Sequence, residues 1–352
     1  MYGSCGSSSH RLWQHMRVWA AAAAAALLLL LGAAASAVAQ VDARPAIGGT
    51  IAYVQRVGLA YEIHVQDLPG GSSRRVWRQE DGFIEALSLS RDATKIAFQA
   101  SDFVGFWEYD IYVLRIGEDE ARQVTELAAL ARATAPAWSP DGSRLAYGVE
   151  MQRQFPEASL FLAGPMGMGV APFVDARALA YEHPSWSLDG RSIAFRKVDA
   201  ERTSTIWRAD VGAGETTALT HGPYALFPAW APGGGRIVYA TDSADGQSDL
   251  HVIDSRTGEH IRQITDDRVH ERWPVWVDAW HIAFLPFDYA DGDADRELRI
   301  VDLTGRERET ITLADIGAHI EAFSWVDPAR PVAAKGMDAS LWAHLKQRDG
   351  AH

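Results

Sequence analysis

The sequence has one cysteine and no asparagine. Cys5, the lone thiol, lies in an N-terminal stretch expected to be removed. A mature chain without cysteine has no disulfide, no thiolate zinc ligand, no thioether-linked haem and no cysteine nucleophile. Cys5 also precedes the apolar run, whereas a lipid-anchored cysteine would follow it. Without asparagine there is no N-glycosylation acceptor, and tight turns fall to Gly and Asp. Basic residues are in deficit, 33 Lys and Arg against 46 Asp and Glu, for a net charge of −13. Non-specific nucleic-acid binding depends on basic side chains neutralising phosphates, so no nucleic-acid partner is expected. Beyond residue 39 no apolar run approaches the roughly 18 residues of a membrane span.

What is present begins with the N-terminus. Arg11 and Arg17 precede an Ala/Leu run from Ala20 to Leu31, and Ala37-Val38-Ala39 closes the segment. A basic start, an apolar centre and small residues at the end make a secretory signal peptide. Cleavage is expected after Ala39, with an uncleaved signal anchor as the alternative. Either outcome places the bulk of the chain in the periplasm or outside the cell. Removing the two arginines leaves 31 basic against 46 acidic residues, or −15. The expected organisation is signal peptide 1–39, short linker 40–46, folded body 47–334 and C-terminal tail 335–352.

The folded body is a repeat. PAWSPDGSRLAY from Pro136, PSWSLDGRSIAF from Pro184, PAWAPGGGRIVY from Pro228 and PVWVDAWHIAF from Pro274 share one pattern. Degenerate copies begin at Leu87 and Phe323. The anchors Leu89, Trp138, Trp186, Trp230, Trp276 and Trp325 are spaced 49, 48, 44, 46 and 49 residues apart. Each unit reads as an anchor strand, a Gly/Asp turn, an Ile/Leu-Ala-Tyr/Phe strand, an alternating third strand such as Asp249–Asp254 and a short fourth strand. Four short strands per period of about 45 residues make a β-propeller blade. The class is therefore all-β. Six four-stranded blades are expected, with Glu321–Val326 completing the blade begun near Ile51. Seven blades follow only if the two incomplete ends form separate sheets.

The WSPDG-type anchor, the IAF triplet and the DLHVID strand together resemble the periplasmic TolB-like, WD-repeat-like propeller family. The resemblance covers Ile47 to Ala334, and the α/β domain that precedes the propeller in TolB itself has no counterpart here. The blade motif is also similar to those of prolyl-oligopeptidase-type peptidases, whose hydrolase domain is missing, and of oligogalacturonate lyases. The resemblance implies that the segments just before each anchor surround the channel mouth on the binding face. They are Gln79–Glu85, Arg132–Ala135, Glu182-His183, His221–Phe227, His270–Trp273 and His319–Glu321. Three residues before the anchors stand Ala86, Ala135, His183, Phe227, Trp273 and Ala322, small in some blades and aromatic or imidazole in others.

No G-x-S-x-G, H-E-x-x-H or Walker loop occurs, so no catalytic residue is assigned. His183, His270, Glu271, Trp273, His319 and Glu321 are expected to form one rim patch that docks a protein partner in the bacterial envelope. No cofactor is expected, and the chain is expected to be monomeric. The competing reading has His183, His221, His270 and His319 converge on a divalent metal or an acidic sugar. As the lyase resemblance implies, that reading makes a secreted enzyme acting on acidic oligosaccharides. Asp288, Asp291, Asp293, Asp295 and Glu297 read as a solvated hairpin loop, because an EF-hand's glycine and distal glutamate are missing. His64, His251, His260 and His281 read as structural strand residues. Trp280, like Trp273, falls outside the repeated apolar positions and is a candidate contact residue.

Overall fold

The computed structural model describes residues 47–328, except 103–107, 128–130, 152–157, 166, 176–177, 223, 243–247, 267–268, 288–296 and 314–318. The segments expected to be signal peptide, linker and tail, and the four aspartates of the acidic loop, lie outside the described residues.

Every described element is a strand. The first part of the chain forms β1 (Gly49–Val57), β2 (Ala60–Leu68), β3 (Arg74–Gln79), β4 (Phe83–Leu89), β5 (Lys95–Ser101), β6 (Asp110–Arg115) and β7 (Ala121–Gln123). Next come β8 (Ala131–Ala133), β9 (Ala137–Trp138), β10 (Leu145–Met151), β11 (Ser159–Ala163) and β12 (Ala171–Asp175). They are followed by β13 (Ala180–Trp186), β14 (Ser192–Val198), β15 (Ser204–Asp210) and β16 (Thr216–Ala218). Two further sets are β17 (Ala225–Trp230), β18 (Arg236–Asp242), β19 (Ser248–Asp254), β20 (His260–Gln263) and β21 (His270–Trp276), β22 (His281–Phe287), β23 (Glu297–Asp302), β24 (Glu307–Thr312). β25 (His319–Val326) comes last.

Among the described residues these strands fall into six antiparallel meanders. The first has the order β25-β1-β2-β3, so the last strand of the chain completes the first blade. Thr50 pairs with Val326, Ile51 with Trp325 and Arg56 with His319. The expected closure is therefore observed from Thr50 to Arg56 of β1. The fifth and sixth meanders share a sheet only through one parallel bridge, Ser248 to His270. The inner strands touch in a closed cycle, β25 to β4 to β9 to β13 to β17 to β21 and back to β25.

The core lies between blades, and this explains why the triplets are apolar on both faces. Ile63 and Val54 of the first blade pack with Ile84, Ile96 and Phe98 of the second. Val238, Leu250 and Val252 of the fifth pack with Ile282, Phe284 and Val301 of the sixth. Each such side chain contributes about 1.5–3 kcal/mol on burial. Inner-strand hydrogen bonds stitch the seams as well. The anchor N–H groups of Leu89, Trp138 and Trp230 donate to Ser324, Ser88 and Ser185 Oγ of the preceding blade at 3.1, 3.2 and 3.1 Å. Where the preceding residue is alanine, the anchor indole takes over. Trp186 Nε1 donates to Ala137 O at 3.2 Å and Trp276 Nε1 to Ala229 O at 3.1 Å.

In the second to fifth blades the first hairpin is a tight turn. Ser139 and Ser187 donate to Asp141 and Asp189, and Gly142, Gly190 and Gly234 occupy the left-handed position at φ 66°, 68° and 78°. The second blade has Ala93 there, at φ 54°. A Cβ in that conformation costs about 1–2 kcal/mol. Ala93→Gly is therefore expected to stabilise the protein by about 1 kcal/mol and Gly190→Ala to destabilise it by a similar amount. Urea denaturation of the two variants measures both shifts.

Candidate functional site at the channel mouth

The mouth is shaped by one irregularity repeated in all six blades. Each inner strand carries one residue more than the second strand it pairs with. Such bulges bend a strand and re-aim a side chain. In the fourth, fifth and sixth blades the bulge places His183, Phe227 and Trp273 at φ 50°, 50° and 54°. All three precede proline, Pro184, Pro228 and Pro274. Left-handed backbone at a bulky residue is strained, and such strain gathers at functional sites.

The consequence is an aromatic trio. The His183 ring lies 4.6 Å from that of Phe227 and 4.9 Å from that of Trp273, and Phe227 and Trp273 are 4.5 Å apart, centroid to centroid. The equivalent positions on the other three blades are Ala322, Ala86 and Ala135, all buried. The small and large residues noted in the repeat are therefore segregated. Three consecutive blades supply rings and three consecutive blades supply methyl groups.

Charged groups line the mouth on both the alanine and the aromatic blades. Tyr109 donates to Glu85 at 2.7 Å, Gln99 donates to it at 3.2 Å, and Arg132 approaches it at 3.7 Å. Arg132 also approaches Glu150 at 3.4 Å and lies over the Tyr109 ring at 5.3 Å. Arg196 pairs with Glu182 and donates to Ser204 Oγ at 2.7 Å. Arg56 lies 3.7 Å from Glu321, and the Arg272 guanidinium lies 3.8 Å from the Phe287 ring centre. Burial and the neighbouring Glu182 carboxylate push Glu150 up to about 8, so it holds its proton at neutral pH. Burial opposes ionisation of Glu182, but Arg196 and His183 outweigh it and lower its pKa. Burial presses His183 down to about 4, with Glu182 at 3.8 Å offsetting this only in part. Burial raises Glu321 against the opposing charge of Arg56.

The six rim residues expected from the sequence occupy different settings. His183 and Trp273 belong to the trio. Glu321 is half-buried beside Arg56, and His319 opens the same strand. His270 opens β21 with its ring 6.5 Å from that of Phe287. Glu271 is fully enclosed. His221 is exposed on the connection into the fifth blade, and Trp280 is 42% exposed in the β21–β22 turn, at the other end of the inner strand. Among the described residues no three His, Asp or Glu side chains gather closely enough to hold one ion. Phe227, Glu85 and Arg132 stood in the pre-anchor segments but were not singled out. Glu150 and Arg196 stood outside them. The signal for Arg196 is register, since it pairs with Glu182 at the bulge.

The profile of the TolB beta propeller domain matches residues 45–284. The chain belongs to the TolB β-propeller family. This TolB-like chain is 20% identical to TolB from Acinetobacter baumannii, whose structure it matches over 79% of its own length and 67% of the other, with a TM-score of 0.64. A chain of the nidogen/laminin complex has the same fold at 9% identity, with a TM-score of 0.62 over 79% and 98% of the two chains. In sequence it is 26% identical to the uncharacterized peptidase YuxL of Bacillus subtilis over 35% of this chain, and it spans 19% of that relative's length.

The half-buried imidazoles set an acid limb. His183 and His251 are both lowered from 6.5 to about 4, the first by burial and the second by burial and then His260. Between those values the unfolded chain binds more protons, so stability falls as pH drops from 6.5 towards 4. His183→Gln is expected to flatten that decline. Urea midpoints at stepped pH measure it, and an unaltered slope would contradict a buried neutral ring.

Proposed function

We propose that this protein is an exported, non-catalytic binding propeller that docks a protein partner in the bacterial cell envelope through its channel mouth. The observation that carries this reading is the aromatic trio. His183, Phe227 and Trp273 come from three blades, are held on strained bulges and pack ring against ring. A preformed aromatic patch flanked by arginines and carboxylates has the composition of an interface hot spot. The carboxylates around it are tied up by Arg56, Arg132 and Arg196, an arrangement suited to shape and polarity matching. Membership of the TolB family and the signal features of residues 1–39 support the envelope location. The assembly of a same-fold chain in the nidogen/laminin complex is consistent with a docking role.

The test uses a photo-crosslinking residue installed in cells at Trp273, at Glu321 or at Trp280. The first two are expected to trap the same partner, and Trp280, at the opposite end, none. With the partner in hand, Trp273→Ala is expected to weaken binding by about 2 kcal/mol. The same substitution also removes ring contacts with His183 and Phe227, so a modest loss of stability accompanies it. A partner trapped only from Trp280, or stoichiometric metal lost in His183→Ala together with chelator-sensitive turnover, would overturn the reading.

A further inference from the structure

We propose that His251 and His260 form a two-imidazole metal site on the outer flank of the fifth blade, taking a divalent transition ion of the copper(II) or nickel(II) type with water completing its shell. The site is separate from the mouth and from the docking reading. His251 lies on β19 and His260 opens β20, the third and outermost strands of that blade. The register sets His260 opposite Ile253, and His251 shares that face two residues back. The bulge between Val252 and Ile253 belongs to the same pairing. The rings meet at 5.3 Å between centroids, with His251 Nδ1 and His260 Nε2 3.0 Å apart. The Tyr239 ring packs against His251 at 5.8 Å.

That separation fits a chelate. Two imidazole nitrogens about 2.0–2.1 Å from one ion and 3.0 Å from each other subtend about 95° at the metal. This is the angle between adjacent positions of a square-planar or octahedral ion, whereas tetrahedral zinc would need about 3.3 Å. Square-planar and tetragonal nitrogen sites favour copper(II) and nickel(II), and copper(II) heads the affinity order. The ligands must also be unprotonated. In the metal-free pair one ring proton bridges the two nitrogens. On binding, that proton transfers to the other nitrogen of the same ring, both rings turn off the nitrogen–nitrogen line so that their lone pairs converge on the ion, and no net proton is released.

The experiment titrates the chelator-stripped full chain separately with copper(II), nickel(II) and zinc(II) chloride, by calorimetry and, for copper, by electron paramagnetic resonance. Expected are one copper per chain bound through imidazole nitrogen, and affinities in the order copper, nickel, zinc. His251→Gln and His260→Gln should each lose at least about tenfold in affinity. His281→Gln, whose ring is held by Asp278 at 2.8 Å, should bind as the parent does. Copper should also raise the melting temperature of the parent and not of the His251 and His260 variants. Copper binding that survives both of these substitutions, or no copper binding below about 1 mM, would overturn the site.

Discussion

The pairing of β25 with β1 is the constraint on which the molecule depends. A blade here has no core of its own, because its apolar side chains are buried against the next blade. An open ring would leave two such faces bare, together with a strand edge able to pair with another chain. The chain joins its ends through a ladder running from Thr50–Val326 to Arg56–His319. The Trp325 indole then reaches back to Gly48 O at 3.3 Å. Once the ring is closed, the six inner strands are fixed around one axis, and residues from distant repeats meet at one end.

What meets there is decided by one extra residue per inner strand. The same bulge occurs in every blade and proline follows it in four, but only three of these set a large ring in the left-handed region. Ring packing offsets the local strain, and aromatic pairs add about 0.5–1.5 kcal/mol each beyond simple burial. On the three alanine blades the small side chains leave room for Arg56, Arg132, Glu85, Glu321 and Tyr109. An ordinary repeat is in this way given three blades with rings at the mouth and three with methyl groups.

Much of the fold was legible in the sequence. Six anchors at near-constant spacing, each followed by a turn and an apolar triplet, specify blades, and the complementary defects at the two ends specify closure. The mouth was only partly legible. The list Ala86, Ala135, His183, Phe227, Trp273, Ala322 reads as an irregular mixture until the ring order shows three alanines side by side and three rings side by side. Histidine drew attention because of its chemistry, yet Phe227 is as much a part of the trio as His183. The Glu182–Arg196 pair was hidden because its register depends on a bulge that no residue type marks. The contact between His251 and His260 was hidden for a similar reason: a bulge in the β19–β20 pairing sits where the two rings meet.

Backbone hydrogen exchange along β1 tests the closed ring most directly. If β25 pairs with β1 as described, the amides of Thr50–Arg56 are flanked by strands on both sides. They should then be protected to the same level as those of β5 and β14, the second strands of the second and fourth blades. Exchange of the β25-facing amides of β1 at the rate of a solvent-exposed edge, with β5 and β14 still protected, would show an open ring and contradict the account.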